Sequence, residues 1–103
     1  MSTKYTDILT NPDLNSKKGI HSYLKNLLFN RLQYGPPPTN DILQNVVKEA
    51  ESQGLENVNA RIKYVGIITY ECGLQIHYYE TTLSVICSKF GFISKIIINE
   101  YPI

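Results

Sequence analysis

The chain has 103 residues, the common size for one domain built around one hydrophobic core. Apolar residues make up 43% and charged residues 18%, so the chain should fold without metals or disulfides. The formal net charge of +1 gives no long-range field that would draw the protein to nucleic acid or an anionic membrane. There is no signal-peptide pattern and no apolar run near the roughly 18 residues that span a bilayer. The sequence therefore predicts a soluble, intracellular (cytoplasmic) protein with no membrane partner.

Residues 1–15 are predicted to form an N-terminal tail or a short helix, because their few apolar residues follow no sustained period. A helix could begin at Pro12, since the fixed φ of proline suits the first helical position. Gly19 would weaken a helix that continued from there. A helix start at Asn15 or Ser16 is therefore favoured.

The apolar residues that follow Gly19 recur at the spacing of one helical face and predict a first helix. Gly35 can end it in a left-handed conformation, and Pro36, Pro37 and Pro38 cannot continue it. The three prolines are interpreted as a rigid connector, in preference to a docking site for a proline-recognising domain. The predicted apolar stripe consists of Ile20, Leu24, Leu27, Leu28 and Leu32.

A second helix is predicted to begin at Thr39 or Asn40, both of which can cap a helix N-terminus. Asp41 then places a negative charge at the positive end of the helix dipole. Gly54 is predicted to end this helix, and residues 55–59 to form a loop. The apolar stripe of the helix consists of Ile42, Leu43, Val46, Val47 and Ala50.

From Ala60 onwards the chain is rich in β-branched and aromatic residues, which predicts strands. Gly73 and Gly91 supply positive φ angles for two hairpin turns. The junction at Thr81 and Thr82 leaves two options, because threonine has high strand propensity: two short strands, or one long bent strand over residues 74–88. The candidate strands are residues 61–70, 74–79, 83–87 and 92–101.

The order of elements predicts an α+β fold in which two N-terminal helices pack on one face of a three- to four-stranded antiparallel meander. Residues 16–103 are expected to form this single domain. The residues expected to be buried together are Leu24, Leu28, Val46, Val47 and Ile76.

Cys72 and Cys87 lie too far apart in the sequence for a CxxC pair, and are predicted to be reduced thiols. Together with His21 and His77 they show no recognised metal-ligand spacing. The sequence also lacks GxGxxG, P-loop, HExxH and GxSxG motifs. No metal site and no cofactor are expected.

Alternation along residues 74–79 predicts that Ile76 and Tyr78 face the helices, while His77 and Tyr79 point to the open face. His77 would then be a candidate general acid or base among cations and aromatic rings. The residues expected to share this face, and to be catalytic if the protein is an enzyme, are His77, Arg61, Lys63, Tyr79 and Lys95.

This order of elements resembles that of small ribonucleases of the barnase, colicin D and RelE-like kind, which place two helices before an antiparallel sheet and cleave RNA on the sheet face. The resemblance covers the region from Ile20 to the C-terminus. It rests on element order alone, so it assigns no role to any residue. It implies a small sheet-face ribonuclease or toxin-like enzyme as an alternative function.

Tyrosines on or beside the strands suit both cross-strand packing and protein interfaces. Several apolar residues of the predicted polar face make that face too apolar to be left to water. The leading interpretation is a non-enzymatic binding module that associates through its sheet face, with itself as a homodimer or with a protein partner. A third hypothesis is binding of single-stranded nucleic acid, which stacking aromatics permit and the charge disfavours. The predicted interface consists of Val65, Ile67, Tyr79, Ile93 and Ile97.

Overall fold

The computed structural model describes residues 9–32 and 39–102. Two helices pack with a three-stranded antiparallel sheet in the strand order β1-β2-β3, which confirms the predicted α+β fold. The residues around Thr81 belong to one continuous strand, so the four-strand option is not realised. The elements are α1 (Lys17–Leu32), α2 (Asn40–Ser52), β1 (Asn59–Thr69), β2 (Gln75–Cys87) and β3 (Gly91–Pro102).

Helix α1 begins at Lys17, directly after Ser16, which agrees with the later of the two predicted starts. The Ser16 hydroxyl accepts a hydrogen bond from the Gly19 backbone N–H at 3.0 Å and caps the helix. Gly19 is required by packing, because a Cβ at this position would lie 2.0 Å from the Asp13 carbonyl oxygen. The predicted helix end at Gly35 and the connector at Pro36–Pro38 lie outside the described residues.

Helix α2 is capped by Thr39, as predicted: its side chain accepts a hydrogen bond from the Ile42 N–H at 3.3 Å. Asp41 lies in the first turn. The helix ends just before Gly54, which has a φ of 94° and donates its N–H to the Glu51 carbonyl at 2.9 Å. The cap, the acidic residue in the first turn and the end of the helix were all predicted from the sequence.

The core lies between the two helices and one face of the sheet. Leu24, Leu28 and Val46 are buried together, as predicted. Val47 is half-buried at the margin, and Ile76 is buried but does not belong to this cluster. The cluster consists of Ile20, Tyr23, Leu24, Leu27, Leu28, Leu32, Val46, Ala50, Leu55, Leu83, Val85, Ile93 and Ile97.

The register of the sheet fixes which side chains share a face. Along β2 the residues Thr81, Leu83 and Val85 are buried against the helices, so the odd-numbered positions of this strand lie on the helix side of the sheet. The prediction that Ile76 and Tyr78 face the helices is therefore wrong. It treated residues 74–79 as a separate strand, whereas the continuous strand takes its orientation from the half that the helices cover.

The sheet is longer than the helices that cover it. Helix α1 has 16 residues and is about 24 Å long, whereas the 13 residues of β2 extend over about 43 Å. Residues 64–79 form the β1–β2 hairpin end, which projects beyond the helix layer. Among the described residues, no helix is long and apolar enough to cross a membrane.

Candidate functional site

The face of the sheet opposite the helices carries a strip of exposed apolar side chains. Antiparallel pairing places Ile98 beside Glu80, Ile96 beside Thr82, and Phe92 beside Ile86, all on this open face. Phe92 is 64% exposed and Ile98 is 61% exposed. We call this set the open-face strip; its members are Ile68, Ile86, Phe92, Ile96 and Ile98.

Charged side chains of both signs share the open face with the open-face strip. On β1, Arg61 pairs with Thr82 and Lys63 pairs with Glu80. On β3, Glu100 lies at the level of Tyr78. The two cations are thus balanced by two carboxylates on the same face. Because the face carries no net charge, two copies of it would not repel each other strongly.

Tyr78 forms a polar patch at one end of this face. Its hydroxyl lies 3.1 Å from the Tyr70 hydroxyl. The hydrogen bond to Tyr70, then burial and the nearby Glu100 carboxylate, raise the pKa of Tyr78 to about 12. Tyr78 is therefore neutral at physiological pH and is a hydrogen-bond donor or acceptor rather than a charged group.

On the helix side of the sheet, aromatic rings form a second cluster, the Tyr–His cluster of Tyr64, His77, Tyr79 and Tyr101. The rings of Tyr64 and Tyr79 are 5.1 Å apart between centroids, and those of Tyr79 and Tyr101 are 5.6 Å apart. The Tyr64 hydroxyl lies 2.8 Å from His77 Nδ1. Tyr101 donates its hydroxyl to the Leu32 carbonyl at 3.4 Å, which connects the cluster to the last residue of α1.

The rings of the Tyr–His cluster pack against one another, which is the arrangement of a structural aromatic cluster. Burial, and then the neighbouring Tyr79, raise the pKa of Tyr101 above its ordinary value. The hydrogen bond to Tyr64 occupies one ring nitrogen of His77. This geometry explains how the sheet is held together next to the helix end, without requiring a ligand.

The structure does not bring the predicted catalytic residues together. Arg61 and Lys63 lie on the open face, whereas His77 and Tyr79 lie on the helix side. Lys95 is also on the helix side but pairs with Leu83, six residues and about 20 Å along β2 from His77. The expectation that these five residues share one face is wrong, because the orientation of β2 is the reverse of the predicted one.

The predicted interface residues are likewise divided. Ile93 is 1% exposed and Ile97 is 7% exposed, and both belong to the core under the helices. Tyr79 is half-buried in the Tyr–His cluster. Val65 lies at the irregularity in the β1–β2 register, and Ile67 pairs with His77 on the helix side of the hairpin end. The expectation that these five residues form one open surface is therefore wrong.

Sequence reasoning missed all five members of the open-face strip. The signal was present in β3, where Ile96 and Ile98 alternate with Ile97. Alternation alone cannot tell which of the two sets is buried when both are apolar. The deciding information is the position of the helices above Leu83 and Val85, which is a tertiary property.

A cleft of about 320 Å³ lies at the opposite end of the sheet from the β1–β2 hairpin, beside the β2–β3 turn. Its walls include Ile20, Leu55, Cys87 and Phe90. Cys87 and the exposed Cys72 are free thiols. Within the described ranges, no three His, Cys, Asp or Glu residues are grouped so that they could hold a metal ion.

No protein-family model, no curated protein and no solved structure matches this chain. The open-face strip is accordingly the feature on which a functional proposal is based.

Proposed function

We propose that this protein is a non-enzymatic binding module that associates through the sheet, with a second copy of itself or with another protein. The observation that carries the proposal is the open-face strip. Its members are each about half exposed or more, and Phe92, Ile96 and Ile98 all lie on one strand. Large apolar side chains exposed together on one face of a monomer are a common feature of interaction sites.

The energetics favour covering this surface. Burying the exposed half of one such side chain contributes roughly 1 kcal/mol, since complete burial contributes about 1.5–3 kcal/mol. Arg61 and Lys63 at the margin keep the face compatible with water while it is uncovered.

The ribonuclease alternative has less support. It requires cations close to His77 to hold phosphates, and Arg61 and Lys63 lie on the opposite face. Single-stranded nucleic acid also finds few cations on the open face, where Glu80 and Glu100 balance them. Protein association needs neither a catalytic pair nor a net positive charge.

The proposal is tested by a pair of lysine substitutions that differ in the face they alter. Ile98→Lys replaces an apolar side chain of the open-face strip with an ammonium beside Glu80, and burying that ion pair in an interface is costly. Ile67→Lys is the matched control, because Ile67 is 50% exposed but lies on the helix side of the hairpin end. Light scattering after size exclusion should show a larger, concentration-dependent mass for the wild type and for Ile67→Lys, and a monomer for Ile98→Lys.

Both positions are exposed, so both variants should fold, which circular dichroism would verify. Equal masses for the two variants at every concentration would contradict a role for the open-face strip in self-association. Activity of the purified wild type on RNA that disappears in His77→Ala would instead promote the ribonuclease alternative.

A further inference from the structure

We draw no further inference here: the strongest candidate, the basic cluster of Lys17, His21 and Lys95 between the first turns of α1 and strand β3, rests on the pKa of His21, lowered by burial and by the two lysines beside a helix N-terminus, and no second feature of the described residues points to a ligand.

Discussion

The two ends of the sheet differ in what determines the orientation of the strands. Under the helices, burial decides the orientation: Leu83 and Val85 are fully buried against α1, and this fixes the inward face of the whole of β2. At the β1–β2 hairpin end, beyond the helices, apolar residues are exposed on both faces, as Ile67 and Ile68 show. There, aromatic contacts across the strands add to the stabilisation that burial provides.

The difference teaches that a strand can take its orientation from a distant part of itself. In β2 the covered half imposes its alternation on residues 75–79, although the more apolar set of this segment, Ile76 and Tyr78, then lies on the open face.

The largest expected effect tests whether stability is concentrated under the helices. Leu28→Ala removes a fully buried side chain and should lower the free energy of unfolding by about 2–5 kcal/mol. Ile67→Ala at the hairpin end, where the side chain is half exposed, should cost less than about 1 kcal/mol. Urea denaturation of the two variants measures both values, and similar losses would remove the distinction between the two regions.

A smaller effect of opposite sign is expected at Thr81, which lies on the covered face. Its hydroxyl is buried and has no hydrogen-bond partner among the described residues. Thr81→Val keeps the shape and removes an unsatisfied polar group, so it should raise the free energy of unfolding by about 1 kcal/mol. Thr82→Val on the open face is the matched control and should change stability by less than about 0.5 kcal/mol. Destabilisation by Thr81→Val would mean that the hydroxyl has a partner after all.

A third prediction tests whether the aromatic contacts stabilise the hairpin end. A double-mutant cycle with Tyr64→Leu and Tyr79→Leu should give a coupling of about 0.5–1.5 kcal/mol, the range for adjacent aromatic rings. The same cycle between Tyr64 and Tyr23, which lies in the core on α1, should give a coupling near zero. Strict additivity of the two leucine substitutions would show that the rings stabilise nothing beyond their individual burial.

The smallest expected effect is a dependence of stability on pH at His21, at the helix–sheet boundary. Burial, followed by the positive charges of Lys95 and Lys17, lowers the pKa of His21 below 6.5. The unfolded chain therefore binds a proton at a higher pH than the folded chain. Stability should be unaffected above about pH 6.5 and should decrease as the pH falls from there towards the folded-state pKa. His21→Gln should remove this part of the decrease when unfolding is measured between pH 7 and pH 5.

The sequence predicted the fold well because its signals are local. The Thr39 cap, the Gly54 stop, and the turns at Gly73 and Gly91 each depend on a few neighbouring residues. The number of strands stayed open because Thr81 and Thr82 are compatible with either a strand or a turn. The structure resolves this ambiguity in favour of one long strand.

The candidate surface was predicted less well, for a reason of geometry. Strand β3 carries isoleucine at three successive positions, so both of its faces are apolar. Which face the helices cover depends on packing between distant elements, and a reversal of β2 exchanges every member of the two faces at once. Ile93 and Ile97 consequently belong to the core, and Ile96 and Ile98 to the open surface.

The central claim, that the exposed sheet is an association surface, is tested most directly by sedimentation equilibrium of the unmodified chain over a wide concentration range. The account predicts a reversible change from the mass of one chain, 11.8 kDa, to twice that mass as concentration rises. It also predicts that Ile98→Lys abolishes this change while Ile67→Lys preserves it. A mass of one chain at every concentration would contradict self-association through this surface.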